Sequence, residues 1–151
     1  MAAGLALALG VAALLPALVG SDNMARAAIG HVLDEETEEF SVAKATDAAL
    51  RTRALERLGI ALPGHIGQVR YEGPCPFGGR TAYHIVLDTS YGKATLLLMP
   101  ENPLASRVMT SARGLSAVAV PAQGGSIAVV ASSKSAAAGI ERLLKLSASS
   151  S

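Results

Sequence analysis

Tryptophan is absent from this chain, and its only aromatic residues are Phe40, Phe77, Tyr71, Tyr83 and Tyr91. A core must therefore be built from Ala, Val, Leu and Ile, and there is no row of aromatic side chains on which nucleic-acid bases could stack. Cysteine occurs once, at Cys75, which excludes an intramolecular disulfide. Charge is missing from the whole front of the chain, where the first charged residue is Asp22. Catalytic signatures are missing too. Gly78-Gly79 and Gly124-Gly125 lack the Lys-Ser/Thr that follows a phosphate-binding loop, and no serine lies in a nucleophile elbow with a matching His and acid. These absences argue against an enzyme.

What occupies the uncharged front is an apolar run over residues 2–20. At about 1.5 Å per helical residue its length roughly matches the hydrocarbon core of a bilayer. It reads as a transmembrane anchor, residues 1–21, with a cleavable signal peptide as the alternative; a signal peptide ordinarily begins with Lys or Arg, which Met1-Ala2-Ala3 does not supply. Charge is unevenly spread behind it. Residues 22–39 hold six acids against Arg26 alone, which leaves 12 basic and 6 acidic residues in 40–151. An acidic flank is a poor cytoplasmic one, so residues 21–151 are expected outside the cytoplasm. The basic residues are scattered singly, and nucleic acid is not an expected partner.

Beyond the anchor, residues 22–146 suffice for one domain. Ile29, Val32, Leu33 and Glu36 recur at helical spacing after Asp22 or Asn23 as a cap. A second helix is predicted over 46–58, with Asp47 in its first turn and Gly59 as a left-handed stop. After Pro63-Gly64 the period changes to two, and strands are predicted over 66–72, 81–88, 93–99, 115–121 and 126–132. Short links between them favour an antiparallel meander of about five strands. An amphipathic helix over 134–146 and a disordered tail over 147–151 complete an α+β chain.

The chemistry-bearing residues gather at one hairpin. If Thr89-Ser90-Tyr91-Gly92 is its loop, Asp88 opposes Lys93, Val86 opposes Thr95 and His84 opposes Leu97. Ala82, His84, Val86, Thr95, Leu97 and Met99 then share a face, with His84 and Met99 as diagonal neighbours. Cys75 is expected in a loop just before the strand, stiffened by Pro74 and Pro76. Thiolate, thioether and imidazole together suit a soft ion such as copper(I). The competing reading is structural: Met99 and Cys75 as core, and His84 satisfied by a backbone carbonyl. His31 and Glu35 sit one helical turn apart and could share a ligand, whereas Asp34-Glu35-Glu36-Thr37-Glu38-Glu39 lacks calcium-loop spacing and reads as a solvated helix end. His65 is expected on a surface loop.

His31-Val32 followed by acids, Pro63-Gly64, Tyr71, Cys75, Phe77, His84-Ile85-Val86-Leu87, Gly92 and Thr95-Leu96-Leu97-Leu98-Met99-Pro100 together resemble an uncharacterised family of bacterial single-pass inner-membrane proteins. Proteins of this kind are regarded as anti-sigma-factor-like, with a cytoplasmic amino-terminal part, one membrane helix and a periplasmic domain. The likeness runs from residue 1 to about 132 and makes His31, Cys75, His84 and Met99 the family-type positions. It implies a tethered periplasmic domain that senses a ligand or binds another envelope or signalling protein. The stretch that would bind a sigma factor has no counterpart here. The alternative is a copper-type or thiol redox-responsive domain using Cys75, His84 and Met99.

Overall fold

The computed structural model describes residues 21–35 and 48–148. Among these, three helices flank one six-stranded antiparallel sheet, an α+β arrangement. The strands are β1 (Gln68–Phe77), β2 (Arg80–Thr89), β3 (Gly92–Pro100), β4 (Val108–Ala112), β5 (Leu115–Ala122) and β6 (Gly125–Ala131). Their spatial order is β1-β2-β3-β6-β5-β4. The sheet is thus not a single meander but two three-stranded ones joined along β3 and β6. The link over 101–107 carries the chain from the sheet's middle to its far edge.

Each hairpin turn follows from local chemistry. Phe77 pairs with Arg80, and Gly78 and Gly79 between them have φ of 57° and 74°, the left-handed pair that a type I′ turn needs. In the β2–β3 hairpin Thr89 pairs with Gly92, and the Thr89 hydroxyl donates to the Gly92 carbonyl at 2.8 Å. The register downstream is the expected one, with Asp88 opposite Lys93, Val86 opposite Thr95 and His84 opposite Leu97.

Both faces of the sheet are covered. Strand residues of one parity, among them Ile85, Leu87, Leu96, Leu98, Val118 and Val129, pack beneath α2 (Ala48–Leu58) and α3 (Lys134–Ala148). Residues of the other parity, among them Cys75, Ala82, Leu97, Met99, Ala117 and Ala128, pack beneath α1 (Ser21–Glu35). That double covering explains the unbroken buried runs in β2, β3 and β6, where a one-sided sheet would alternate. Each fully buried Leu or Ile here contributes roughly 1.5–3 kcal/mol. Under α1 the contact is made largely of alanine, with Ala25 and Ala28 of the helix and Ala117, Ala119 and Ala128 of the sheet fully buried. Small side chains let the helix lie close to the strands.

The helix ends are chemically marked. After α2, Gly59 takes φ of 65°, its N–H donates to the Glu56 carbonyl, and the Ile60 N–H donates to the Leu55 carbonyl, both at 3.1 Å. This pair of bonds is a Schellman motif and stops the helix where the glycine predicts. At α3 the Ser133 hydroxyl accepts from the Ala136 N–H at 3.1 Å, an N-cap.

Three expectations are corrected. Strand β1 runs on through Gly73-Pro74-Cys75-Pro76 to Phe77, so Cys75 lies in a strand opposite Ala82, not in a loop. Pro74 and Pro76 are tolerated because β1 is an edge strand, where a missing N–H need not break the ladder. A sixth strand, β4, goes unpredicted because its five residues, Val-Met-Thr-Ser-Ala, form the opposite edge and show little alternation. Helix α3 continues to Ala148, two residues beyond its expected end. Residues 1–20, which would hold the anchor, Thr46 and Asp47 of the second helix, and 149–151 of the tail lie outside the described residues. No described helix is long and apolar enough to cross a membrane.

Candidate metal centre

The period-two geometry of β1 decides which of its side chains meet the helix above. Tyr71, Cys75 and Phe77 are at odd positions and are buried on the α1 side, whereas Glu72 turns the other way. There both carboxylate oxygens of Glu72 accept from Arg51 Nη1 on α2, at 2.9 and 2.8 Å. Cys75 pairs across the ladder with Ala82 and Gly73 with His84, which makes Cys75 and His84 diagonal neighbours on one face. Ala82 has only a methyl group, so the space beside Cys75 stays open to longer neighbours. His31 descends onto this spot from α1, three residues after the fully buried Ala28.

The three residues converge. One donor atom from each of His31, Cys75 and His84 lies within 4.8 Å of the others. Bonds of roughly 2.0–2.3 Å to nitrogen and sulfur place the donors of a trigonal or tetrahedral site roughly 3.3–4.0 Å apart, so small rotamer changes complete ligation. Cys75 and His84 are 5% and 2% exposed, and the Nε2 atom of His31 and both ring nitrogens of His84 are shielded from water. Aromatic rings set the imidazole planes. Phe77 meets His31 edge-on at 5.7 Å, Tyr71 meets His84 edge-on at 5.6 Å, and the two imidazoles are 5.4 Å apart at 55°.

Met99 is fully buried on the same face and in the same apolar cluster as Cys75. It stands one diagonal step from His84, as the hairpin register requires. Glu35 is not in the group, which contains no carboxylate. His65 is exposed in the turn after Pro63, whose carbonyl accepts from the Ile66 N–H at 3.0 Å. The flanking roles of Tyr71 and Phe77 were not read from the sequence. Their signal was the odd numbering they share with Cys75, masked by two prolines that broke the strand pattern.

A buried cysteine sulfur with two imidazoles is a donor set for soft or borderline transition metals. The group itself includes no carboxylate, the ligand type a hard cation favours. With that geometry in hand, the chain's kinship can be given: it belongs to the family described as a protein of unknown function, DUF3379, whose profile matches residues 1–147. Neither a curated protein nor a solved structure matches it.

Proposed function

We propose that this chain is a membrane-tethered, periplasmic sensing domain whose ligand is a soft metal ion, copper(I), held by His31, Cys75 and His84 with Met99 beside them. The observation that carries the reading is the convergence of three ligating atoms from three separate elements within 4.8 Å, in a buried setting. Tethering rests on the uncharged residues 2–20 and the acidic stretch after them.

Charge selects the ion. One thiolate and two neutral imidazoles around copper(I) sum to zero, whereas zinc(II) in the same shell leaves a net positive charge. An uncompensated charge in a water-poor site costs several kcal/mol, and no carboxylate is in the group to offset it. The thioether of Met99 adds a soft donor to the surroundings.

The test is copper(I) uptake by the full chain in detergent micelles under anaerobic conditions, read by thermal unfolding. Binding to the folded state adds roughly 2.7 kcal/mol when free copper(I) is a hundredfold above its dissociation constant. Cys75→Ser and His84→Ala remove the gain, and His65→Ala keeps it. Equal stabilisation of the wild type and Cys75→Ser would return these side chains to mere packing and leave protein interaction as the domain's role.

A further inference from the structure

Two of the three donors belong to the β1–β2 hairpin and one belongs to α1. We infer that the bound ion is a clamp: it fastens α1 to that hairpin, so that metal occupancy fixes the segment leading directly to residues 1–20. The inference rests on the soft-metal reading and adds the regulation of that same site.

The packing shows why a clamp would matter there. Helix α1 lies over the other half of the sheet, making its main backbone approaches to β4, β5 and β6. The Met24 sulfur accepts from the Ser126 hydroxyl of β6 at 3.3 Å. Toward β1 a groove of about 320 Å³ runs along the edge of this packing, lined by Met24, Ala27, His31, Pro76, Phe77 and Gly78. His31 reaches past that groove to the rings of Phe77 and His84. An ion at the three donors therefore adds a bond between α1 and the β1–β2 hairpin, beside the apolar cluster that already includes Ala28, Cys75, Phe77 and Ala82.

Helix α1 is held by a modest apolar face, comparable to that of α3. Its buried apolar side chains are Met24, Ala25, Ala28, Ile29 and Val32, two of them alanines that each bury little area. An element with modest buried apolar surface opens at lower free energy than the strands beneath it. A metal bond from His31 adds a term that the opened state lacks, and so lowers the open population. Because α1 begins at Ser21, immediately after the uncharged run ends at Gly20, its attachment is where a change in the domain can reach a tether.

Hydrogen–deuterium exchange on the full chain in detergent micelles tests this, with the amides of residues 24–35 compared with those of α3 as an internal reference. One equivalent of copper(I) should slow exchange in α1 by about tenfold or more while α3 is unchanged. His31→Ala should still take up copper(I), more weakly, through Cys75 and His84 and show no slowing in α1. Stoichiometric copper binding by the wild type with α1 exchange unaltered would overturn the clamp and leave metal binding standing. Absence of copper from the wild type would overturn the reading on which the clamp rests. The wild-type comparison suffices if His31→Ala fails to fold.

Discussion

Among individual residues, the charged groups divide sharply between the buried face and the rest of the molecule. Glu141 on α3 is almost fully buried and accepts two hydrogen bonds from Arg107 Nε, both at 3.0 Å, one from Arg107 Nη2 at 2.8 Å, and a contact from Lys145 Nζ at 2.6 Å. Burial alone would push its carboxyl up, but the hydrogen bonds and charges of Arg107 and Lys145 outweigh that and hold it below the ordinary carboxylate range. A depressed folded-state value contributes stability above the unfolded carboxylate range, and that contribution is lost as pH falls through the folded value. Arg107→Ala should therefore cost about 1.5–3 kcal/mol at neutral pH, and the mutant's deficit should shrink in acid, as measured by urea unfolding across pH. The residues of the candidate metal site were partly legible at this scale. Residue type and hairpin register placed His84 and Met99 correctly on one face. His31 was singled out by its spacing from Glu35 and by the family resemblance, but its meeting with Cys75 and His84 could not be derived from spacing, because its approach depends on how closely an alanine-lined helix settles on a sheet.

Among the elements, the β1–β2 hairpin sets the relation of Cys75 to His84, and its turn sets the hairpin. Gly79 has φ of 74°, a conformation that a β-branched residue resists. Gly79→Val should destabilise the protein by about 1–2 kcal/mol. It should also weaken copper(I) affinity by disturbing the register in which Cys75 faces Ala82, a loss measurable by competition with a chromophoric copper(I) chelator. An equal affinity with lowered stability would show that the site does not depend on this turn. The elements with strong periodicity, β2, β3, β5, β6 and the last two helices, could be read from the sequence, and Gly59 marked the end of α2. The two edge strands were the ones misread. Prolines in β1 and weak alternation in β4 are features that edges permit and central strands do not, so local rules ended β1 early at Gly73-Pro74 and left β4 unassigned.

Across the whole molecule, the antiparallel pairing of β3 with β6 was hidden from local reasoning, because it joins residues some thirty positions apart through the link at 101–107. That pairing centres the sheet and creates the two faces, one under α2 and α3 and one carrying the candidate centre under α1. The proposed tether belongs to this scale as well. A periplasm-dependent reporter fused after Ser151 should be active in a bacterial host, and activity of a cytoplasm-dependent reporter in its place would reverse the orientation. The proposed function stands on His31, Cys75 and His84 together holding copper(I). X-ray absorption at the copper edge of the full chain loaded with one equivalent of copper(I) tests it most directly. The expected shell contains sulfur at roughly 2.2–2.3 Å and two imidazole nitrogens at roughly 2.0–2.1 Å, with the sulfur contribution lost in Cys75→Ser. A shell of nitrogen and oxygen alone, or a spectrum unchanged by Cys75→Ser, would contradict it.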